Sequence, residues 1–342
     1  MSAISATNTM ARAAARRLTM SSSLGGRYMY SGVACSGPTL QGGSTGNFDF
    51  CIGTVHKCTF PGCCICSTNH RFYSSTARVL QSTETTASMN KHFPSAVTNA
   101  DLVSTVSETL EAKHGFKKSD TLVATSLCAD EVNRVLEKDF SDKYDLDNFN
   151  MGGLAGFPFG GVTAFGAMAS HIPDGGSTLV VFGPHVGVDS NGKVGTVERH
   201  GRASSGACCG SAVAAFGYVT GVHSGDVTKY GPPQDATDAQ QNFVGNMLLP
   251  YAAKLAAAGD DSMATLPYAL YSAQKEMMDG IVQAGASNVA GSGKIGVLGG
   301  IQINTPAGGS DYFLPLSLVV FDNNGAMVED LSAEINCGTA SL

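Results

Sequence analysis

The sequence predicts an α/β protein: a mostly parallel central sheet flanked by helices. Two observations carry that prediction. Short apolar runs bounded by turn residues alternate with longer stretches of helical periodicity, the pattern of strands joined by helical crossovers. Chemically reactive residues also stand where three of the hydrophobic stretches meet their turns, the place where open α/β sheets bind ligands.

The elements follow in order. Residues 76–95 are rich in Ser and Thr and read as a linker. Residues 100–113 set Leu102, Val103, Val106 and Leu110 at helical spacing, with Asn99 or Asp101 near the cap. After a turn at Gly115, residues 121–127 form a buried strand, and residues 130–140 turn Val132, Val135 and Leu136 onto one helical face. Residues 151–169 are too apolar for a solvent loop and too rich in Gly for a regular helix. They read either as a surface packed against another backbone or as an apolar wall beside a small-molecule pocket. A second strand covers 178–183. Asn191-Gly192 has hairpin-turn chemistry, so 185–188 and 193–197 are expected to pair. A helix begins near residue 208, two or three more fill 236–286, and 295–304 and 312–321 are late strands.

Composition narrows the function. The net charge of −7 hides a split: residues 1–90 carry seven Lys/Arg and two Asp/Glu, and all the remaining acids lie beyond. An acidic body excludes nucleic acid as the main partner, because phosphate binding needs a basic face. No apolar run reaches 18 residues, so no membrane-spanning helix is expected. Arg12, Arg16, Arg17 and Arg27 precede the first acid, Asp49, amid Ala, Ser and Met, which describes an organellar transit peptide. Arg71-Phe72-Tyr73-Ser74-Ser75 resembles a mitochondrial processing site and favours the mitochondrion over a plastid. The expected division is a leader over 1–90 and a single domain over 91–342. Cys51, Cys58, Cys63, Cys64 and Cys66 match no standard zinc-finger spacing and are assigned to the leader.

The chemistry concentrates in the body. Cys128 and Asp130 follow the first strand, His185 follows the second, and Cys208-Cys209 opens the Ala-rich helix. One imidazole and two thiolates are the soft donors zinc prefers, and a fourth open position distinguishes catalytic sites from structural ones. A thiolate at a helix N-terminus is further favoured by the helix dipole. A second reading makes Cys208 or Cys209 a nucleophile with His185 or His200 as its base.

Four motifs then carry a resemblance. Ser126-Leu127-Cys128-Ala129-Asp130-Glu131-Val132-Asn133-Arg134, Phe182-Gly183-Pro184-His185-Val186-Gly187, His200-Gly201-Arg202 with Cys208-Cys209-Gly210, and Leu298-Gly299-Gly300-Ile301-Gln302-Ile303-Asn304 are similar to the limiting-CO2-inducible B protein family of algae and diatoms, which includes the theta-class carbonic anhydrases. The resemblance spans roughly residues 95–340. It implies a fold akin to beta-class carbonic anhydrases, a homodimer, and reversible hydration of CO2 to bicarbonate at Zn2+.

Carried onto this chain, the resemblance makes Cys128, His185 and Cys209 the metal ligands. Cys209 is preferred to Cys208 because it precedes Gly210 as the second ligand cysteine of the beta class precedes a glycine. Asp130 takes the role of the aspartate that controls the fourth position, with Arg134 or Arg202 as its partner. Zinc acidifies water for attack on CO2, Leu154, Phe157 and Phe159 supply an apolar wall, and His200 or His171 relays the proton. The alternative within the same family is a non-catalytic zinc protein acting as a bicarbonate sensor or scaffold.

Overall fold

In chain order the elements are helix α1 (Thr83–His92), strand β1 (Val97–Thr98), α2 (Asn99–His114), β2 (Thr121–Ser126), α3 (Arg134–Tyr144), β3 (Phe149–Asn150), α4 (Gly161–Ala169), β4 (Ser177–Phe182), β5 (His185–Gly187), β6 (Thr196–Val197), β7 (Gly206–Ala207), α5 (Gly210–Ser224), α6 (Ala239–Leu248), α7 (Ala252–Ala257), α8 (Ser262–Gly285), β8 (Ile295–Asn304), β9 (Tyr312–Phe321) and β10 (Met327–Asp330). The computed structural model describes residues 81–231 and 236–339. The transit-peptide reading and the Cys51–Cys66 cluster lie outside those residues.

Among the described residues, one eight-stranded sheet runs β1-β9-β8-β4-β2-β3, with β10 beside β9 and β5 beside β8. β3, β2, β4 and β8 are parallel, whereas β9 returns antiparallel to β8. Strand side chains alternate between two cores, as period two requires. Leu122, Ala124, Val180 and Phe182 face α4 and α8, where Phe165, Met278 and Ile281 are buried. Val123, Leu179 and Val181 face α2 and α3, where Val106, Leu110, Leu136 and Phe140 are buried. Both faces are covered, so the inner strands are apolar throughout. A third apolar cluster joins α5, α6, α7 and α8 and includes Cys128 and Cys209.

β4 and β5 are two parts of one line. Both pair in parallel with β8, β4 against Ile295–Gly299 and β5 against Gln302–Asn304, and Gly183-Pro184 interrupts them. Any Cβ at Gly183 would stand 1.9 Å from the Gly300 carbonyl oxygen. That break brings His185 to the carboxyl end of the sheet.

Three expectations change in detail. The 76–95 segment contains α1, not only linker: Met89 is buried, and Thr85 Oγ1 donates to the Asp189 carbonyl at 2.8 Å. A high Ser/Thr content concealed a helix capped by Ser82. The hairpin around Asn191-Gly192 is reduced to a single bridge, Val188 with Val194. Asp189 takes over the turn, its Oδ1 accepting from the amides of Asn191 and Lys193. Residues 151–169 pack against other backbones, the first of the two readings. Gly152 and Gly156 cross other backbones so closely that a Cβ would lie 2.3 Å from the carbonyl oxygens of Leu127 and Gly183. Ala155 and Phe157 meanwhile join the apolar cluster around Cys128 and Cys209.

Gly156 also has φ +88°, which an L side chain rarely adopts. Gly156→Ala is therefore expected to cost about 2–4 kcal/mol of stability, whereas Gly217→Ala, inside α5 with open space at its Cβ, is expected to add about 0.5–1 kcal/mol. Urea unfolding of both variants checks the contrast, and equal midpoints would refute the packing argument.

Candidate metal centre

Each donor is placed by the end of an element. β2 is buried at all six positions, and the chain leaves it through Leu127 to Cys128. Ser126 Oγ donates to the Gly156 carbonyl at 2.9 Å, tying this strand end to the glycine-rich crossing. The Cys128 carbonyl then accepts from Asn133 Nδ2 at 3.3 Å and from the Arg134 guanidinium at 2.5 Å. His185 begins β5 beyond the Gly183-Pro184 break. Cys209 is the N-cap residue of the fifteen-residue helix α5.

The three donors converge. One atom each from Cys128, His185 and Cys209 lie within 4.8 Å of one another, and all three residues are buried. The Cys128 and Cys209 sulfurs are 3.7 Å apart. That is far too long for a disulfide, whose S–S length is about 2.05 Å, and it matches the roughly 3.8 Å separating two thiolates that sit about 2.3 Å from one tetrahedral zinc. His185 Nδ1 lies 2.8 Å from Asn304 Oδ1, while Nε2 is buried without a hydrogen-bond partner. Asn304 cannot turn its amide around easily, because Nδ2 donates to the Val132 carbonyl and the Asp311 carboxylate. Oδ1 therefore accepts from Nδ1–H, and the Nε2 lone pair is left for a metal. The donor set fits zinc.

Cys208 stands apart from that set in orientation. Its sulfur lies 3.4 Å from His185 Nδ1 and 3.7 Å from Asn304 Oδ1, on the side of the ring already engaged by the amide. It also forms a second donor group with Asp130 and His185.

The electrostatics are those of a site built to receive a cation. The contact between the two sulfurs favours one thiolate and one thiol. Shared with Cys209, it holds Cys128 down at about 4, and it pushes the Cys209 thiol well up. Burial opposes a charge on His185, yet Cys128, Cys208 and Cys209 around it hold its pKa well above the ordinary value. Burial alone would push Asp130 up, but Glu131 beside it and the charges of His185 and Arg199 hold it below the usual carboxylate range.

Asp130 is where the sequence reading is corrected. Its partner is Arg199, whose guanidinium reaches Asp130 Oδ2 at 2.6 Å and Glu131 Oε1 at 3.1 Å. Arg134 instead supports the Cys128 carbonyl and pairs with Glu137 at 2.7 Å, since α3 turns it back toward β2. Arg202 is exposed in the turn after Arg199. Asp130 Oδ2 lies 4.0 Å from His185 Nε2, so the carboxylate borders the metal position. Of the two relay candidates, His200 lines a cleft of about 620 Å³ together with Arg199, Val132 and Asn304. His171 is exposed after α4, its ring edge-on to Phe149 of the edge strand β3, and does not line that cleft. Leu154, Phe157 and Phe159 do gather with Cys128 and Cys209 in one apolar cluster.

Two residues escaped the sequence reading. Arg199 had one faint signal, the unpaired acids Asp130-Glu131, which call for a base. Asn304 had another, as a polar residue ending a strand buried along its whole length.

Known proteins resemble this chain in sequence and fold. The limiting CO2-inducible proteins B/C beta carbonic anhydrase family matches residues 96–322. The crystal structure of PtLCIB4, a homolog of the limiting CO2-inducible protein LCIB, is 51% identical, covers 72% of this chain and 99% of its own, and superposes with a TM-score of 0.67. A histidine-to-alanine mutant of PtLCIB4 gives 50%, 72%, 98% and 0.67. LCIB itself is 21% identical over 70% of this chain and 95% of its own, with a TM-score of 0.52, and shows the shared fold. No curated protein matches. With the family profile covering most of the chain and the sheet, the helices and the Cys2His group all in place, the chain belongs to the limiting CO2-inducible B/C family of beta carbonic anhydrases.

Proposed function

We propose that the protein catalyses the reversible hydration of CO2 to bicarbonate, with zinc held by Cys128, His185 and Cys209. The observation that carries the reading is the buried His185 Nε2, which has no partner and shares its surroundings with two sulfurs 3.7 Å apart. Zinc in such a site supplies the chemistry by making water acidic enough to attack CO2 near neutral pH.

The chain's own residues do the rest. Asn304 fixes the His185 tautomer by accepting from Nδ1–H. Asp130, kept ionised by Arg199, accepts a hydrogen bond from the attacking water at Oδ2 and orients its lone pair toward CO2. Phe157 and its neighbours exclude bulk water from the thiolates. Bicarbonate and the proton depart by the cleft that Arg199 and His200 line, an imidazole there being suited to carry the proton onward. A homodimer and an organellar destination, favoured by the basic, acid-poor first ninety residues, belong to the same reading.

Cys128→Ser, His185→Ala and Cys209→Ser are each expected to lose bound zinc and CO2 hydration together, while Cys208→Ser keeps zinc near the wild-type level. Metal analysis beside a stopped-flow hydration assay decides, and equal zinc in all four variants would sink the assignment. Arg199→Ala is expected to lower kcat/KM about 10- to 100-fold with zinc retained, and Arg202→Ala to change it less than about threefold. The reverse order would return the pairing role to Arg202. Because the Cys209 thiol and His185 hold their protons more firmly than usual in the metal-free site, zinc must displace protons to bind. Zinc affinity is therefore expected to rise with pH between 6 and 8, by roughly tenfold or more per unit. Competition with a chelator of known affinity reads this directly, and a flat profile would contradict it.

A further inference from the structure

Gln302 is fully buried in β8, and neither its Oε1 nor its Nε2 has a hydrogen-bond partner. Burying a carboxamide in this state forfeits hydrogen bonds to water at both ends, a cost that native cores avoid. Its place in the sheet says where a partner would sit. Gln302 is the register partner of His185 in the parallel β5–β8 pair, and Asn304 stands two residues along the same strand. Period two and parallel pairing put all three on one face of the sheet. The residues of that face are roofed by the turn after β2: Asp130 approaches His185 Nε2, and the Val132 carbonyl accepts from Asn304. Asn133, also wholly buried, gives its Nδ2 to the Cys128 carbonyl and leaves its own Oδ1 unpartnered. The antiparallel neighbour of Gln302 is Phe313, and Ile301 and Ile303 fill the opposite face, so an apolar residue would suit the packing better.

We propose that Gln302 contacts the reacting carbon oxyanion itself, binding bicarbonate and the transition state that leads to it. A carboxamide offers one N–H donor and one carbonyl acceptor side by side. Bicarbonate answers both, with a charged oxygen to accept and a hydroxyl to donate, whereas CO2 has no donor. Nε2–H therefore strengthens its bond as negative charge develops on the oxygen leaving the linear geometry, and Oε1 accepts from the single bicarbonate hydroxyl only after that hydroxyl has turned away from Asp130. The contact favours the transition state and the product over CO2, so it acts on kcat more than on KM for CO2. This proposal rests on the hydration reading given above.

The test compares full-length wild type with Gln302→Met, loaded with zinc for kinetics and with cobalt for bicarbonate titration by visible absorption. Gln302→Met is expected to hold zinc as the wild type does and to melt, metal-free, at an equal or higher temperature. Its kcat for hydration and its bicarbonate affinity fall about 10- to 100-fold, with KM for CO2 within about threefold. A variant with wild-type kcat and bicarbonate affinity overturns the proposal, because an ordered water then satisfies the amide. A variant that melts below the wild type, or fails to fold, also overturns it, because the amide is then part of the core. If the wild type binds cobalt and bicarbonate yet hydrates no CO2, the hydration reading fails alone. The bicarbonate titration then still decides for Gln302, weaker binding in the variant supporting the contact and equal binding refuting it.

Discussion

An imidazole nitrogen buried with nothing to bond, set against two sulfurs in van der Waals contact, is the constraint on which the remaining structure depends. Leaving one buried ring nitrogen unsatisfied costs about 1–3 kcal/mol, and a second thiolate beside Cys128 would add repulsion in a medium that screens charge poorly. A divalent cation removes both penalties at once. The fold is arranged so that no protein group does so instead: Asn304 occupies Nδ1, Arg199 is committed to Asp130 and Glu131, and Arg134 is committed to a carbonyl and Glu137. Each of these groups is spoken for, and Nε2 is left without a partner among the described residues.

That arrangement distributes rigidity unevenly. Cys128 and His185 hang from strands inside the sheet, and Cys209 from the first turn of a long helix. Arg199 comes instead from the excursion between β6 and β7, two-residue strands whose connecting residues are mostly exposed. Few buried contacts hold such a segment, so it belongs to the low-stability end of the molecule. The guanidinium that pairs with Asp130 thus sits on the least supported segment, whereas Cys128, His185 and Cys209 sit on buried elements.

Much of this was legible in the sequence because strand ends are. The apolar runs before Cys128 and before His185 are buried strands, and period and length distinguish those from helices without any knowledge of contacts. Cys209 was legible as a helix start, although the sequence set it beside Cys208 and only the fold groups it with Cys128 and His185, while Cys208 lies against His185 Nδ1. Arg199 was not legible, because its pairing with Asp130 spans 69 residues and depends on how an irregular loop arches back. Spacing along α3 pointed to Arg134 instead, and helical spacing does bring Arg134 to Glu137, a real contact that serves the backbone rather than the aspartate. The α1 helix was hidden for a different reason: Ser and Thr have weak helix propensity, and what holds Thr83–His92 is its cap and its burial against the body.

The glycine-rich stretch shows how packing and chemistry can be one requirement. Gly152 and Gly156 let the chain cross within carbonyl contact of both strands that deliver ligands, Leu127 ahead of Cys128 and Gly183 ahead of His185. A larger residue at either position would lift this segment off the strand ends. The same close crossing presses Ala155 and Phe157 into the cluster that contains Cys128 and Cys209, where Phe159 and Phe243 stack edgewise against one another. The sulfurs are therefore packed with apolar side chains on that side, while Val132, Arg199 and Asn304 line a separate cleft next to the turn that carries Asp130. A backbone contact that only glycine permits thus holds both donor-bearing strand ends and the apolar packing against their sulfurs in one arrangement.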